Sequence, residues 1–185
     1  MHNILQLKIY LKEKPEIWRR FLVSDFWSFH RLHRIIQEVM GWENYHLYYF
    51  EVGKTHIEPP CDDYYPSDEG DKNAKTTRIF EFIEEKGQKF KYEYDFGDGW
   101  EHKIIVEKIS PEDEYCLNFV VKCLKGEKAC PPEDCGGVGS YEEKLNIQKN
   151  KKHPRYKELI INWLGEDFDS EKFNINEVNK KLEKI

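Results

Sequence analysis

Hydrophobic and polar residues alternate along two stretches near the start of the chain. Leucine or isoleucine occupies every second position from Leu5 to Leu11, and the same period of two returns between residues 17 and 23, after a break at Lys14-Pro15. Successive side chains of a strand point to opposite faces, so this period is typical of a half-buried strand. The two stretches therefore predict two strands that pair with each other.

The apolar spacing changes to three and four residues between Phe29 and Val39, which indicates a helix with one apolar face. Ser28 precedes this stretch, and serine is a preferred cap at the amino terminus of a helix. Gly41 follows it, and glycine readily adopts the left-handed conformation with which many helices end. The sequence therefore predicts a helix between these two residues that packs on the sheet.

Alternation returns on both sides of Gly97-Asp98-Gly99, from Phe90 to Tyr94 and from Trp100 to Val106. Two alternating runs around a glycine-containing turn predict a β-hairpin. Shorter patterns predict strands at residues 46–52 and 117–123 and a short helix at residues 76–85. The segment from Pro59 to Lys75 contains turn formers and acidic residues without any period, which predicts a mobile loop.

From Ser140 onward the pattern is helical in three stretches, Tyr141 to Lys149, Tyr156 to Leu164 and Ile175 to Ile185. Together these patterns predict an α+β fold with a mostly antiparallel sheet, helices packed on one face and a helical carboxy-terminal third. We expect residues 1–185 to form a single domain, since this length encloses one core. That domain comprises a β-rich part at 1–123, a cysteine loop at 123–137 and a helical tail at 140–185.

Composition adds the class of protein to this picture. Hydrophobic side chains make up 39% of the chain and charged side chains 35%, which is typical of a folded protein with a strongly solvated surface. No apolar run reaches the roughly 20 residues that span a bilayer, and the amino terminus lacks the pattern of a secretory signal. The sequence therefore predicts a cytoplasmic protein with no membrane partner, in which the cysteines are held reduced.

The net charge of −6 argues against a protein that coats nucleic acid with its whole surface. The first 50 residues nevertheless hold seven lysines or arginines against five acids, or +2, whereas the remainder holds 22 against 30, or −8. Two basic stretches are candidates for a local contact with nucleic acid, and the alternative is that both are solvated surface. The candidate residues are Arg19, Arg20, Arg31 and Arg34 in the first stretch and Lys151 and Lys152 in the second.

Three cysteines, Cys123, Cys130 and Cys135, are spaced as C-x6-C-x4-C around prolines and glycines that favour a tight loop. Zinc in proteins prefers four soft or borderline ligands in a tetrahedron, so the spacing indicates a zinc site. The fourth ligand would be His102, Cys116 or His46. The alternative is that these cysteines are small buried apolar groups, because free cysteine is among the most buried residue types.

Acidic residues crowd the turn of the hairpin, where Asp95, Asp98 and Glu101 lie within seven positions. Paired carboxylates bind hard cations or exchange protons. Aspartate is also favoured in turns for reasons of backbone geometry alone. Both interpretations of the turn stay open at this point.

Five stretches together resemble the plasmid pRiA4b ORF-3-like family: LKIYLKEKPEIWRRFLV, EVMGWENYHLYYFEVG, YEYDFGDGWEHKIIVEK, GEKACPPEDCGGVGSYEE and WLGEDFDSEKFNINEVN. The resemblance covers nearly the whole chain. Members of that family occur on plasmids, as passengers of insertion elements and in chromosomes, so it implies an association with mobile elements and no particular activity. The matching positions supply a candidate polar cluster, which consists of His46, Asp95, Asp98, His102, Glu133 and Asp134 beside Cys130 and Cys135.

Three hypotheses for function follow. The first is a binding module without enzymatic activity, associated with mobile elements or nucleic acid. The second is a metal-dependent, hydrolase-like enzyme with a zinc cofactor, built from the hairpin carboxylates, His102 and the cysteine loop. The third is an adaptor that binds another protein. The chain contains no phosphate-binding glycine loop, nucleophile elbow or dinucleotide fingerprint, which excludes the enzyme classes that those motifs mark.

Overall fold

A computed structural model describes residues 2–59, 70–111 and 121–185 of the chain. Eight strands in these ranges form one sheet in the order β5-β4-β3-β6-β7-β1-β2-β8. The strands are β1 (Asn3–Leu11), β2 (Trp18–Ser24), β3 (Tyr48–Val52), β4 (Thr55–Glu58), β5 (Lys72–Asn73), β6 (Lys89–Tyr94), β7 (Trp100–Pro111) and β8 (Lys122–Glu127). Three α-helices, α1 (Phe29–Met40), α2 (Gly137–Gln148) and α3 (Ile175–Leu182), and a π-type helix (Lys157–Leu164) complete the described fold. The predicted α+β class is confirmed.

The sheet is antiparallel in every described pairing except that of β4 with β5. β1 lies between β2 and β7, and the two predicted amino-terminal strands pair as expected. The odd-numbered side chains from Leu5 to Leu11 are at most 1% exposed, whereas the residues between them are half-buried. The period of two in the sequence therefore separates the core face of the sheet from its solvated face.

Helix α1 begins and ends where the sequence predicts. The Ser28 hydroxyl accepts a hydrogen bond from Arg31 N at 3.2 Å, and Gly41 has a φ of 98° while its N–H donates to Gln37 O at 2.8 Å. The buried face of the helix belongs to the same core as the inner face of the sheet. Packing on the sheet thus stabilises this helix, as its amphipathic pattern indicates.

The stretch at 76–85 contains only a 3₁₀ turn at Ile79–Glu81, so the predicted short helix is wrong. The first amides of this turn bond to the segment before α1: Ile79 N donates to Trp27 O and Phe80 N donates to Asp25 O, both at 2.9 Å. Only the residues that follow bond within the stretch, from Glu81 N to Arg78 O and from Phe82 N and Ile83 N to Ile79 O. Most of the predicted loop at 59–75 and of the predicted strand at 117–123 lies outside the described residues. Among the described residues, no helix combines the length and the apolar character needed to cross a membrane.

Two histidines are buried in the core next to Tyr92. His33 Nδ1 lies 2.8 Å from Tyr92 Oη, and His102 is 0% exposed. His102 alternates in the hairpin with charged residues and shares the face of Trp100 and Ile104, which predicts an inward ring with a polar or metal partner. The inward orientation is found, and the ring interacts with the backbone of Trp100 and Tyr92, although neither nitrogen has a partner in good hydrogen-bond geometry among the described residues. Burial lowers the pKa of each imidazole to about 3, so both rings are neutral in the folded protein.

Acid should therefore destabilise the protein. The unfolded imidazoles have a pKa of about 6.5, so below that pH they take up protons only when the chain unfolds. Stability should be highest above about pH 6.5 and should fall by about 1.4 kcal/mol per pH unit for each ring as the pH drops toward 3. Urea unfolding at about pH 7.5 and about pH 5.5 measures the slope, and a His102→Leu variant that keeps the full slope would contradict this assignment.

Candidate functional site

Three loops meet at the end of the sheet where β3 begins, β6 ends and β7 begins. They are the loop after α1 (41–47), the hairpin turn (95–99) and the cysteine loop (129–136). Asp95 N donates to Leu47 O at 3.0 Å, which joins the first loop to the second. Gly136 N donates to Asp98 Oδ2 at 2.8 Å, which joins the second to the third. Segments that are far apart in sequence therefore form one surface.

Four side chains from these loops converge on one point, and we call them the His-carboxylate cluster: His46, Asp95, Glu133 and Asp134. His46 Nε2 lies 3.2 Å from Asp134 Oδ1, 3.7 Å from Asp95 Oδ2 and 3.8 Å from Glu133 Oε2. The ligand atoms of His46, Asp95 and Asp134 all lie within 4.8 Å of one another. This is the arrangement in which a single cation contacts one nitrogen and several carboxylate oxygens.

Two atoms of the cluster are buried and have no hydrogen-bond partner among the described residues, His46 Nε2 and Glu133 Oε2. Buried polar atoms are nearly always hydrogen-bonded, so these two atoms, 3.8 Å apart, are the candidates in the cluster for contact with a ligand. The side chains of Asp95 and Glu133 are 8% and 13% exposed, whereas that of Asp134 is 70% exposed. The cluster is thus buried on one side and open to solvent on the other.

The backbone around the cluster adopts left-handed conformations at residues other than glycine. The φ angle is 55° at Asp95, 53° at Asp134 and 62° at Asn44. Aspartate and asparagine tolerate this region better than other side chains, which accounts for the residue types at these positions. Asp95 Oδ1 accepts hydrogen bonds from Gly97 N and Asp98 N, so one carboxylate oxygen closes the turn while the other faces His46. Asp95 therefore stabilises the turn with one carboxylate oxygen and leaves the other oxygen available to a cation.

Glu133 is held in place through its second oxygen. Oε1 accepts hydrogen bonds from Glu43 N at 2.7 Å and from Tyr94 Oη at 2.9 Å. Burial and the neighbouring Glu133 raise the pKa of Tyr94, so its phenol stays protonated and donates. Tyr94 Oη in turn accepts from Tyr45 N at 3.0 Å. Tyr94 therefore connects the loop that carries His46 to the carboxylate opposite it.

A buried network beneath the cluster fixes the loop after α1. Asn44 N donates to Gln37 Oε1 at 2.9 Å, and the Asn44 side chain bonds to His33 Nε2. Gln37 Nε2 donates to Tyr92 Oη at 3.0 Å, and the same hydroxyl bonds to His33. Because α1 and β6 supply these partners, rigid elements set the position of His46.

Gly137, the first residue of α2, directly follows the cysteine loop and packs closely against the hairpin turn. Its φ is 75°, and an added Cβ would lie 2.8 Å from the carbonyl oxygen of Asp98. A Gly137→Ala change should therefore cost about 1–3 kcal/mol in the free energy of unfolding. Gly139→Ala is the matched control, because that site in the same helix has open space and an alanine there should stabilise by up to about 1 kcal/mol. Urea unfolding of both variants tests the pair, and equal effects would contradict the close approach.

The structure thus brings together four of the six residues of the candidate polar cluster. Asp98 lies next to them and binds Gly136 N, while His102 lies in the core and is not part of the group. Glu101 pairs with Lys12 at 2.7 Å instead of joining the other carboxylates. Sequence reasoning did not identify Tyr94, whose alternation with charged neighbours indicates only a buried strand residue.

The three cysteines and His102 do not assemble as a ligand group among the described residues, since neither group of three or more candidate ligands contains a cysteine. Cys123 Sγ lies 3.7 Å from Lys125 O, and Arg19 interacts electrostatically with both Cys123 and Cys130. A buried guanidinium next to two thiols is unfavourable for a metal cation there. Burial raises the pKa of Cys123 and Cys135 to about 11, so these thiols stay protonated. Cys116, the other proposed ligand, lies outside the described residues.

The candidate nucleic-acid residues do not form one exposed patch. Arg19 is 2% exposed, and its guanidinium is held by backbone carbonyls, so it is not available to a phosphate. Arg20 forms an ion pair with Glu107, and the guanidinium of Arg31 lies 4.0 Å from the ring of Trp27. The three that are exposed are Arg34, Lys151 and Lys152. Binding of nucleic acid stays a prediction, but Arg19 is no longer one of its candidate contacts.

A second group of candidate ligands lies at the edge of the sheet. His56, Glu58 and Asp71 can place ligand atoms within 4.8 Å of one another, and all three are half-buried. This group comes from adjacent strands and turns and contains one carboxylate fewer than the His-carboxylate cluster. It provides a comparison site within the same chain.

The chain is similar to known proteins both in sequence and in structure. A family model described as plasmid pRiA4b ORF-3-like protein matches residues 3–177. A protein of Sinorhizobium fredii (strain NBRC 101917 / NGR234), named uncharacterized protein y4hQ, is 32% identical over 186 residues, which cover 99% of this chain and 92% of that protein. A crystal structure titled protein of unknown function MM3350, from Methanosarcina mazei Go1, is 35% identical with a TM-score of 0.81 and covers 95% of this chain and 97% of the other.

Proposed function

The chain belongs to the plasmid pRiA4b ORF-3-like family, and from this premise and the geometry of its loops we propose that it binds a divalent metal ion through the His-carboxylate cluster. The observation that carries the proposal is the convergence of three carboxylates on His46 Nε2, with that atom and Glu133 Oε2 buried and unbonded among the described residues. A bound cation would satisfy both atoms and would offset the repulsion between the carboxylates.

The donor set indicates which ions suit the site. Carboxylate oxygens favour Mg²⁺ and Mn²⁺, whereas an imidazole nitrogen favours Zn²⁺, Fe²⁺ and other transition metals. A cluster with one nitrogen and three carboxylates fits Mn²⁺, Fe²⁺ or Zn²⁺ best. This assignment keeps a metal near the hairpin and the cysteine loop but replaces cysteine ligands by His46 and carboxylates.

The accessibility of the cluster favours a catalytic ion over a purely structural one. A structural ion is enclosed by protein ligands, whereas a catalytic ion keeps a coordination position for water or substrate. Asp134 is 70% exposed, so the outer side of the cluster leaves room for a water molecule. An ion there would lower the pKa of its bound water and polarise a substrate carbonyl or phosphoryl oxygen, which is the chemistry of a metal-dependent hydrolase.

Titration of the chelator-treated protein with Mn²⁺ and with Zn²⁺ in a calorimeter tests this proposal. We expect one ion to bind per chain, and we expect His46→Ala to weaken binding by more than the roughly 10- to 100-fold that loss of an outer-shell partner costs. Hydrolysis of p-nitrophenyl acetate, with and without the ion, tests the chemistry on the same samples. An ion that binds but never accelerates hydrolysis would leave the site as structural.

His56→Ala is the matched control, because it removes an imidazole from the comparison group at the edge of the sheet. This variant should bind the ion at the cluster as the natural chain does. If His56→Ala and His46→Ala weaken binding equally, or if the natural chain binds neither ion, the cluster is not the site.

A further inference from the structure

The loops that carry His46 and Asp95 also carry exposed apolar side chains. Tyr45, Leu47 and Phe96, which we call the apolar rim, are 68%, 59% and 52% exposed and are the three most exposed large hydrophobic residues in the described part of the chain. Tyr45 and Leu47 flank His46 in sequence, and Phe96 follows Asp95. Monomeric proteins rarely place such side chains together on the surface without a partner.

The backbone that carries the rim is held in position by hydrogen bonds. Tyr45 N donates to Tyr94 Oη at 3.0 Å, and the Leu47 carbonyl accepts from Asp95 N at 3.0 Å. The ring of Phe96 lies 5.7 Å from that of Tyr49. The same hydrogen bonds therefore position the backbone of the rim and of the cluster.

The charged side chains in the segments that build this surface are acidic. The segments 41–50, 92–102 and 129–137, which build it, contain seven acidic residues and no lysine or arginine. Two of the seven, Glu93 and Glu101, lie 2.8 and 3.6 Å from the Lys91 ammonium, which leaves 7 − 2 = 5 without such a cation among the described residues. The five are Glu43, Asp95, Asp98, Glu133 and Asp134. A divalent ion would neutralise two of these charges, so the surface stays negative with the ion bound.

From these observations we propose that the rim and the cluster together bind an extended polypeptide segment in which basic side chains alternate with apolar or aromatic ones. The apolar rim contacts the aromatic side chains, and the carboxylates attract the lysines or arginines. Residues of the rim lie on the two loops that carry His46 and Asp95, and Asp95 N donates to Leu47 O, so the occupant lies next to the proposed metal position. This inference goes beyond the proposed function for the ion, because the rim and the carboxylates attract the peptide whether or not an ion is bound, and it names the class of molecule that the surface binds.

Nucleic acid and anionic membranes are disfavoured as occupants. Both carry dense negative charge and bind proteins through clusters of lysine and arginine, which the three segments lack. The exposed aromatic side chains alone would suit stacking of bases, but five carboxylates would repel the phosphates that accompany them. A thymidine strand is therefore the informative comparison with a peptide.

Fluorescence anisotropy with a labelled peptide, acetyl-Lys-Trp-Lys-Leu-Lys-Trp-Lys-amide, tests the inference on the full chain. We expect saturable binding that a double variant, Leu47→Ser with Phe96→Ser, weakens at least about 10-fold. The control double variant, Phe26→Ser with Phe80→Ser, removes two exposed rings elsewhere, 45% and 43% exposed, and should change the affinity less than about 2-fold. The same peptide with glutamate in place of lysine should not bind.

Equal weakening by the two double variants would overturn the inference, as would tighter binding of a thymidine strand or of the glutamate peptide. Calorimetric titration of the Leu47→Ser, Phe96→Ser variant with Mn²⁺ separates the two proposals, since neither residue belongs to the cluster. Unchanged Mn²⁺ binding with lost peptide binding supports both. If the natural chain binds the peptide through the rim but no ion, the proposed metal function fails while the surface for the peptide stands.

Discussion

Adding Mn²⁺ at about 100 times its Kd should stabilise the folded protein by about 2.7 kcal/mol and raise its Tm by roughly 5–10 °C. The reason is that the ligands come from three loops that are far apart in sequence, at His46, Asp95 and the pair Glu133 and Asp134. An unfolded chain does not hold these side chains together, so the free energy of binding adds to that of folding. Differential scanning fluorimetry over a series of ion concentrations measures the shift.

Asp134→Asn is the variant that isolates the effect of the ion. The Asp134 side chain is 70% exposed and its φ is 53°, a conformation that asparagine also tolerates. Without the ion this variant should melt as the natural chain does, whereas its gain in Tm with Mn²⁺ should be largely lost. A full gain in Asp134→Asn, or a gain that disappears equally in His56→Ala, would place the stabilising ion elsewhere.

The regular elements were predictable because their patterns are local. The alternation from Leu5 to Leu11 predicts strand β1 directly, since burial on one face of the sheet imposes a period of two. In the same way, the apolar spacing between Ser28 and Gly41 predicts helix α1, and these two residues cap it. The helix predicted at residues 76–85 is wrong because the pattern there is also only local. The apolar spacing fits a helix, but Ile79 N and Phe80 N bond to the segment before α1, and the local pattern does not contain those partners.

The candidate site was predictable in composition and not in geometry. His46, Asp95, Glu133 and Asp134 are all among the polar positions that the family resemblance marks, yet no period relates loops separated by tens of residues. His102 was grouped with them because it is another of the positions that the family resemblance marks. It lies on the inner face of the hairpin, where its ring packs in the core against Trp42 and Tyr92 and does not join the carboxylates.

The same limit applies to the basic residues. Arg19 and Arg20 are adjacent in sequence and identical in charge, and β2 turns one toward the core and the other toward solvent. Arg19 packs on the ring of Phe173 at 4.2 Å, whereas Arg20 meets Glu107 on the solvated face. Charge alone therefore does not identify a phosphate contact, and the face of the strand decides it.

Arg19→Lys should destabilise the protein by about 3 kcal/mol, even though it keeps the positive charge. Arg19 Nε donates to Val39 O at 2.8 Å, Nη1 to Trp18 O and Glu127 O, and Nη2 to Lys128 O. These bonds join the last turn of α1 to β2 and β8, and a lysine ammonium cannot reach carbonyls on both sides. Buried carbonyls without a donor and a buried cation with fewer acceptors each cost stability. Urea unfolding measures the loss.

Arg20→Lys is the matched control, because it makes the same change one position along the strand. Arg20 is 30% exposed and its ion pair with Glu107 lies on the solvated face, so this variant should lose at most about 1 kcal/mol. The contrast separates a structural role for Arg19 from a contact with phosphate, in which lysine would serve nearly as well. If the two variants are equally stable, the hydrogen bonds from Arg19 to the backbone carbonyls contribute little to the free energy of unfolding. A structural role would then not explain why the chain has an arginine at this position.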